Sequence, residues 1–176
     1  FTLSTVPAVG STVVLGSTFT GRYPLQHNGA DLTTDFVVNY YYCTSSSITS
    51  CASTAIGTQT IKTDIKAGAS TTFTSIALKL PATAAVGSRY IRAFVDVTNK
   101  VKESSETNNN DMDLITVVAP RPDLQVDVLT VTPTTGPQGG KVPIRYRLYN
   151  AGTAAATSFK VRLYYSTNDF ISTTDT

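Results

Sequence analysis

Residues 22–53 read RYPLQHNGADLTTDFVVNYYYCTSSSITSCAS, and residues 145–176 read RYRLYNAGTAAATSFKVRLYYSTNDFISTTDT. Laid side by side they need no gap. Tyr23 falls on Tyr146, Leu25 on Leu148, Gly29 on Gly152, Phe36 on Phe159 and Val38 on Val161; the pair Tyr41-Tyr42 falls on Tyr164-Tyr165. Self-similarity over such a length marks a repeated module. Inside the first copy the alternation is period 2: Phe36, Val38, Tyr40 and Tyr42 share one face of residues 35–43, as a half-buried strand requires. His27-Asn28-Gly29 reads as the turn before it, because Asn and Gly tolerate positive φ. The repeated element is therefore a piece of β-structure.

Outward from this stretch the pattern continues. Residues 1–6, ending at Pro7, and 11–15 read as two pieces of a bent edge strand. Residues 17–26, 54–62, 71–80, 88–97 and 112–118 complete about seven short strands with turn signals roughly every ten residues, and no helical periodicity is evident. The second face of 71–80 carries Ile76, Leu78 and Leu80, and that of 88–97 carries Ile91, Ala93, Val95 and Val97. The expected fold is all-β, a β-sandwich of the immunoglobulin or fibronectin III type. Residues 1–118 form one full module. Residues 119–123 (Ala-Pro-Arg-Pro-Asp) are a stiff Pro-rich linker. Residues 124–176 are the N-terminal half of a second module, with strands at 124–131, 142–149 and 159–165. A half-sandwich exposes Tyr146, Leu148, Phe159, Val161 and Leu163 and is not expected to stand alone. The natural chain is expected to run past Thr176, or the half-module to be completed by strands of another chain. Phe1 is expected to lie inside a longer or processed precursor.

Composition narrows the function. Of 176 residues, 14 are Lys or Arg and 12 are Asp or Glu, a net charge of +2 without a basic run. That argues against nucleic acid as the main partner. No apolar run reaches the ~20 residues of a spanning helix, so membrane insertion is not expected. The single His lies in a turn where the second copy has Asn150, and no nucleophile elbow, phosphate loop or metal-ligand spacing accompanies it. An enzyme is not expected.

Several stretches resemble one family. PDLQVDVLTVTP followed by NAGTAAATSFKVRLYYSTNDFISTTDT is similar to the opening of the CARDB module, the cell-adhesion-related domain of bacteria and archaea. IGTQTIKTDIKAGAS and LPATAAVGSRYIRAFVDVTNKVKESSETNNND are similar to its later part, the most specific residues being Asp96, Asn99, Val101, Glu103, Glu106, Asn108 and Asn109. The first copy departs at FTLSTVPAVGSTVVLG, which lacks the PDL start. The resemblance implies an Ig-like sandwich on secreted or cell-surface proteins, in tandem and beside adhesive or enzymatic domains.

Cys43 and Cys51 close the loop after the third strand, where the second copy has Ser166 and Thr174. A disulfide is expected there, which indicates an oxidising, extracellular or cell-surface location. No cofactor is expected. Calcium is the one cation with candidate ligands: Glu103, Glu106 and Asp111 in the 102–113 stretch, and Asp169 and Asp175 in the second copy. These fall short of the six to eight oxygens calcium takes, and a structural, backbone-capping role is the favoured reading. Tyr90 is expected to act as a tyrosine corner. Pro120, Pro122, Asn150 and Gly152 are candidates for a module–module interface, with the cysteine loop and the 81–87 corner facing the linker. The expected function is non-catalytic: a tandem-repeat structural subunit of a surface fibre, filament or adhesin, with other copies of itself or neighbouring modules as partners. The alternative is an accessory module of a secreted hydrolase, a spacer or carbohydrate binder. Tyr41 and Tyr164 are then the outward aromatics for a glycan partner.

Overall fold

The computed structural model describes residues 2–3, 11–27, 29–62, 64–166, 168 and 170, with backbone alone for residues 2, 3, 11, 22, 70–75 and 128. Asn28 of the expected turn, Pro7, Asp169 and Asp175 lie outside the described residues. The chain separates into two compact units, Phe1–Ala119 and Pro120–Thr176.

The first unit is two sheets facing each other, one antiparallel and one mixed. β1 (Thr2–Leu3), β3 (Thr18–Gln26) and β6 (Ser70–Lys79) form the three-stranded sheet in the order β1-β3-β6. β2 (Ser11–Val14), β4 (Phe36–Cys43), β5 (Gly57–Ile61), β7 (Gly87–Val95) and β8 (Asn110–Val118) form the five-stranded sheet in the order β2-β8-β7-β4-β5. The opening strand divides between the sheets: β1 pairs antiparallel with β3, and β2 pairs parallel with β8. That division lets one edge segment shield both layers, a common answer to exposed strand edges.

Alternation decides what is inside. On β4, Phe36, Val38, Tyr40 and Tyr42 are all buried. They meet Ile91, Ala93 and Val95 of β7, Ile115 and Val117 of β8, and Tyr23, Leu25 and Leu78 of the facing sheet in one apolar cluster. The Tyr23 and Tyr40 rings meet across the sandwich with centroids 5.1 Å apart. Burial pushes the Tyr40 hydroxyl pKa up to about 12 and raises that of Tyr23 as well, with Tyr40, Asp113 and Asp111 adding to the effect at Tyr23. Leu78 is wedged between glycines: a Cβ on Gly57 would stand 2.3 Å from one of its methyls, and one on Gly21 would stand 2.8 Å from the other. Leu32 and Ile65, both buried, close one end by exchanging backbone hydrogen bonds of 2.8 and 3.0 Å.

The second unit contains β9 (Leu124–Val131) and β10 (Ile144–Asn150), paired antiparallel. Their register repeats that of the first unit. The offset that carries Tyr23 onto Tyr146 carries Leu3 onto Val126 and Leu25 onto Leu148, and Leu3 faces Leu25 as Val126 faces Leu148.

Two expectations need correction. Residues 159–165 form no strand. The matching β4 is hydrogen-bonded on one side to β5 and on the other to β7, and the described residues of the second unit hold no counterpart of either. Val97, expected on the inner face, is exposed. The ladder ends at Val95, and Asp96, with φ +48°, turns the chain out of the sheet.

Candidate functional site

Cys43 and Cys51 are joined by a disulfide. Their pairing follows from the backbone: Ala52 N donates to Tyr42 O at 2.8 Å and Thr44 N to Ser50 O at 3.2 Å, so the cysteines form the non-hydrogen-bonded pair between them. That is the close site of an antiparallel ladder. Cys43 lies opposite Tyr90, and Gly87 opposite Val117, so the disulfide, the 81–87 corner and the exit of β8 share one end of the sandwich. The loop between the cysteines does not project from that end. It folds back onto the outer face of the five-stranded sheet: Ser46 O accepts a 2.7 Å bond from Arg92, and Ile48 lines a shallow cleft with Tyr41, Phe94 and Val97. Contacts with the sheet surface hold the loop there, which loop length alone does not encode.

Tyr41 is half-buried in that cleft. Its ring meets Phe94 edge-on, with centroids 5.5 Å apart at 88°, and its hydroxyl accepts from Asn39 at 3.2 Å. Tyr164, its match in the second unit, is 45% exposed, and the adjacent Tyr165 is 74% exposed. The 81–87 corner is clamped by Tyr42 and not by Tyr90. The Tyr42 hydroxyl accepts from Ala85 N at 3.2 Å and from Arg89 Nε at 3.0 Å. The reason is alternation: Tyr42 points inward from β4, toward the corner, whereas Tyr90 lies on the opposite face.

At the other end of the sandwich the 96–109 stretch caps itself. The buried Asp96 carboxylate accepts from Lys100 N at 3.0 Å and Val101 N at 2.7 Å. Glu106 accepts from Glu103 N at 3.0 Å, and the Asn109 amide donates to both Glu103 and Glu106. Asp111 is not part of this loop. It lies on β8 with Asp113, and strand alternation places both on the Ile115–Val117 face, near Tyr23. Among the described residues no three His, Cys, Asp or Glu side chains gather as a metal set. Nearby, His27 is buried and bonds through Nε2 to the Ala30 carbonyl. Asn150, its match, donates to the Ala154 carbonyl at 2.7 Å, so the imidazole holds a turn as the amide does. Asp31 bonds Lys66 at 2.7 Å, and that ammonium holds its carboxyl below the usual range.

The interface candidates of the second unit are engaged within it. Asn150 Oδ1 accepts from Asp123 N at 2.9 Å and Gly152 N at 3.0 Å, and Ala151 N donates to Asp123 O at 2.7 Å. A Cβ on Gly152 would lie 2.3 Å from Arg121 O and 2.6 Å from the Pro122 carbonyl carbon. Only glycine lets this turn close on the segment that follows Pro120. What the second unit does present is apolar: Val126, Tyr146, Phe159, Val161 and Leu163 are 41–56% exposed.

No curated protein matches the chain in sequence. Among solved structures, a solution structure of a CARDB domain from Pyrococcus furiosus covers 66% of this chain and 90% of its own, at 15% identity and a TM-score of 0.43. A crystal structure of the same domain, described as a complex with di-metal ions, covers 62% and 81% at 20% identity and a TM-score of 0.41. A domain of a Methanosarcina acetivorans protein, provisionally named a cell surface protein, covers 67% and 88% at 22% identity and a TM-score of 0.40. The CARDB family model matches residues 6–112 and again residues 121–175. The chain belongs to the CARDB family.

Proposed function

We propose that this chain is a non-catalytic, extracellular structural module, a tandem-repeat element of a surface fibre or adhesin. One observation carries the reading. The residues that build the core of the first unit recur in register in the second, where they stand exposed: Phe36 is 1% and Val38 3% exposed, against 48% for Phe159 and 41% for Val161. A face of that composition is stable only when covered. The first unit indicates what covers it, a segment with the inward pattern of β6, β7 and β8, either from the same polypeptide beyond Thr176 or from another one. Strand complementation between chains would make module–module contacts self-propagating. The disulfide suits an oxidising location outside the cell. Pro120 and Pro122 stiffen the connection between modules.

Sedimentation across a concentration series, with negative-stain electron microscopy of the same samples, tests this. The expected result is concentration-dependent association that is abolished by Phe159→Glu with Leu163→Glu. A single-chain species at every concentration, identical in the variant, overturns the reading. The accessory-module alternative rests on the exposed rings of Tyr164 and Tyr165. It requires retention on a polysaccharide gel that Tyr164→Ala removes.

A further inference from the structure

Arg92 lies at the middle of the outer face of the five-stranded sheet, between Tyr41 on β4 and Met112 on β8. An arginine in that position ordinarily reaches water, yet Arg92 is only 8% exposed. The disulfide loop covers it. Nη2 donates to Ser46 O at 2.7 Å and to Met112 Sδ at 3.2 Å, Nη1 donates to Asn110 Oδ1, and Nε is buried with no hydrogen-bond partner. Every acceptor is neutral, and among the described residues Arg92 makes no ion pair. Burying a cation without a counter-charge is unfavourable, so the guanidinium pushes toward water. The loop's own hydrogen bonds resist weakly because they are exposed: Ser50 Oγ donates to Ser45 O and Ser47 O at 2.9 and 2.6 Å, and Ser47 Oγ accepts from Thr49 N at 3.4 Å. Such bonds compete with water and contribute little. The covalent tie at the loop's base is the strongest restraint on it.

We infer that the Cys43–Cys51 disulfide is a latch: it keeps loop 44–50 closed over Arg92, and its reduction opens the loop and delivers the guanidinium to solvent as an anion-accepting group while the sandwich stays folded. The reaction is thiol–disulfide exchange with a dithiol. One thiolate of the reductant attacks the sulfur of Cys51, the partly exposed partner; Cys43 is fully buried. The protein S–S bond breaks, and Cys43 departs as a thiolate that takes up a proton. The reductant's second thiolate then displaces the Cys51 sulfur, which is protonated in turn, and closes the reductant's own disulfide. Two electrons and two protons pass to the protein. Across a sequence separation of 8, losing the cross-link raises the opening constant roughly 30- to 150-fold on loop-entropy grounds. The second unit has Ser166 and Thr174 at the matching positions and carries no such latch.

The test is arginine-selective labelling of the full chain with phenylglyoxal, read peptide by peptide by mass spectrometry. It compares the oxidised protein, the dithiothreitol-reduced protein and the Cys43→Ser/Cys51→Ser variant. Arg89, half-buried and bonded to Tyr42 at the 81–87 corner, is reached by the reagent in the folded state and is the internal reference. The expected result is Arg92 labelling that rises by roughly 30- to 150-fold on reduction and in the variant, with Arg89 unchanged. Unchanged Arg92 labelling overturns the inference. So does Arg89 rising in step with Arg92, because the module would then open as a whole. If the double variant does not fold, the reduced wild-type arm decides alone.

Discussion

Leu25 and Leu148 occupy the same position of the same strand pair, opposite Leu3 and Val126. Leu25 has no exposed surface, whereas the strands around Leu148 present Tyr146 and Val126 at 43% and 56% exposure. The local geometry is shared, so local geometry is not what makes the first unit a sandwich. The difference is the second layer of contacts, from Leu78, Ile91, Ala93, Val95, Ile115 and Val117, that only the first unit has among the described residues. A β-ribbon is a recipe for half a core, and stability comes from the half that covers it.

The sharpest way to stress this comparison is to truncate one leucine in each unit. Leu78→Ala should cost about 2–5 kcal/mol in urea unfolding, by lost burial and an unfilled cavity. Leu148→Ala in the single-chain species should cost less than ~1 kcal/mol, as half-exposed positions do. Equal costs would mean that the second unit has a cover of its own. Removing the disulfide with Cys43→Ser/Cys51→Ser should lower the stability of the first unit by about 2–3 kcal/mol and leave β9 and β10 untouched. Denaturant curves read by tyrosine fluorescence and by amide NMR separate the two. Gly57→Ala should cost about 1–3 kcal/mol, because the new methyl must displace Leu78.

A smaller effect is alkaline. Tyr40 holds its proton in the fold to about pH 12, against 10.0 in an open chain. Its contribution is complete below pH 10 and is lost as pH rises through 12, since the unfolded state ionises first. Tyr40→Phe should make that decline shallower, measured as melting temperature from pH 9 to 12. The smallest effect expected is that of calcium. Glu103 and Glu106 are already bonded to Asn109 and to backbone. Adding calcium should therefore shift the melting temperature by about zero, because a ligand stabilises only by binding the native state. A clear upward shift would reinstate these carboxylates as ligands.

The strands were legible because alternation is a local property: Phe36, Val38, Tyr40 and Tyr42 announce a one-sided strand whatever lies around them. So was the repeat, which carries the same pairing register in both units. Pairing is a relation between segments, and this is why residues 159–165 have the pattern of a strand without being one. Asp111 reads as part of an acidic loop until the start of β8 at Asn110 turns it inward. Tyr90 suits a corner clamp in sequence, and only the sheet it shares with Tyr42 shows that Tyr42 is the one facing the corner. The covering of Arg92 had no signal in the chain order, since Ser46 and Arg92 meet only because the disulfide loop lies down on the sheet.

Residue-resolved hydrogen exchange on the single-chain species tests the central claim most directly, because it reads both copies in one sample. The account predicts that amides of β3 and β4 exchange only through global unfolding, while those of β9 and β10 exchange at least ~10³-fold faster through local opening. Comparable protection at matched positions such as Leu25 and Leu148 would contradict it.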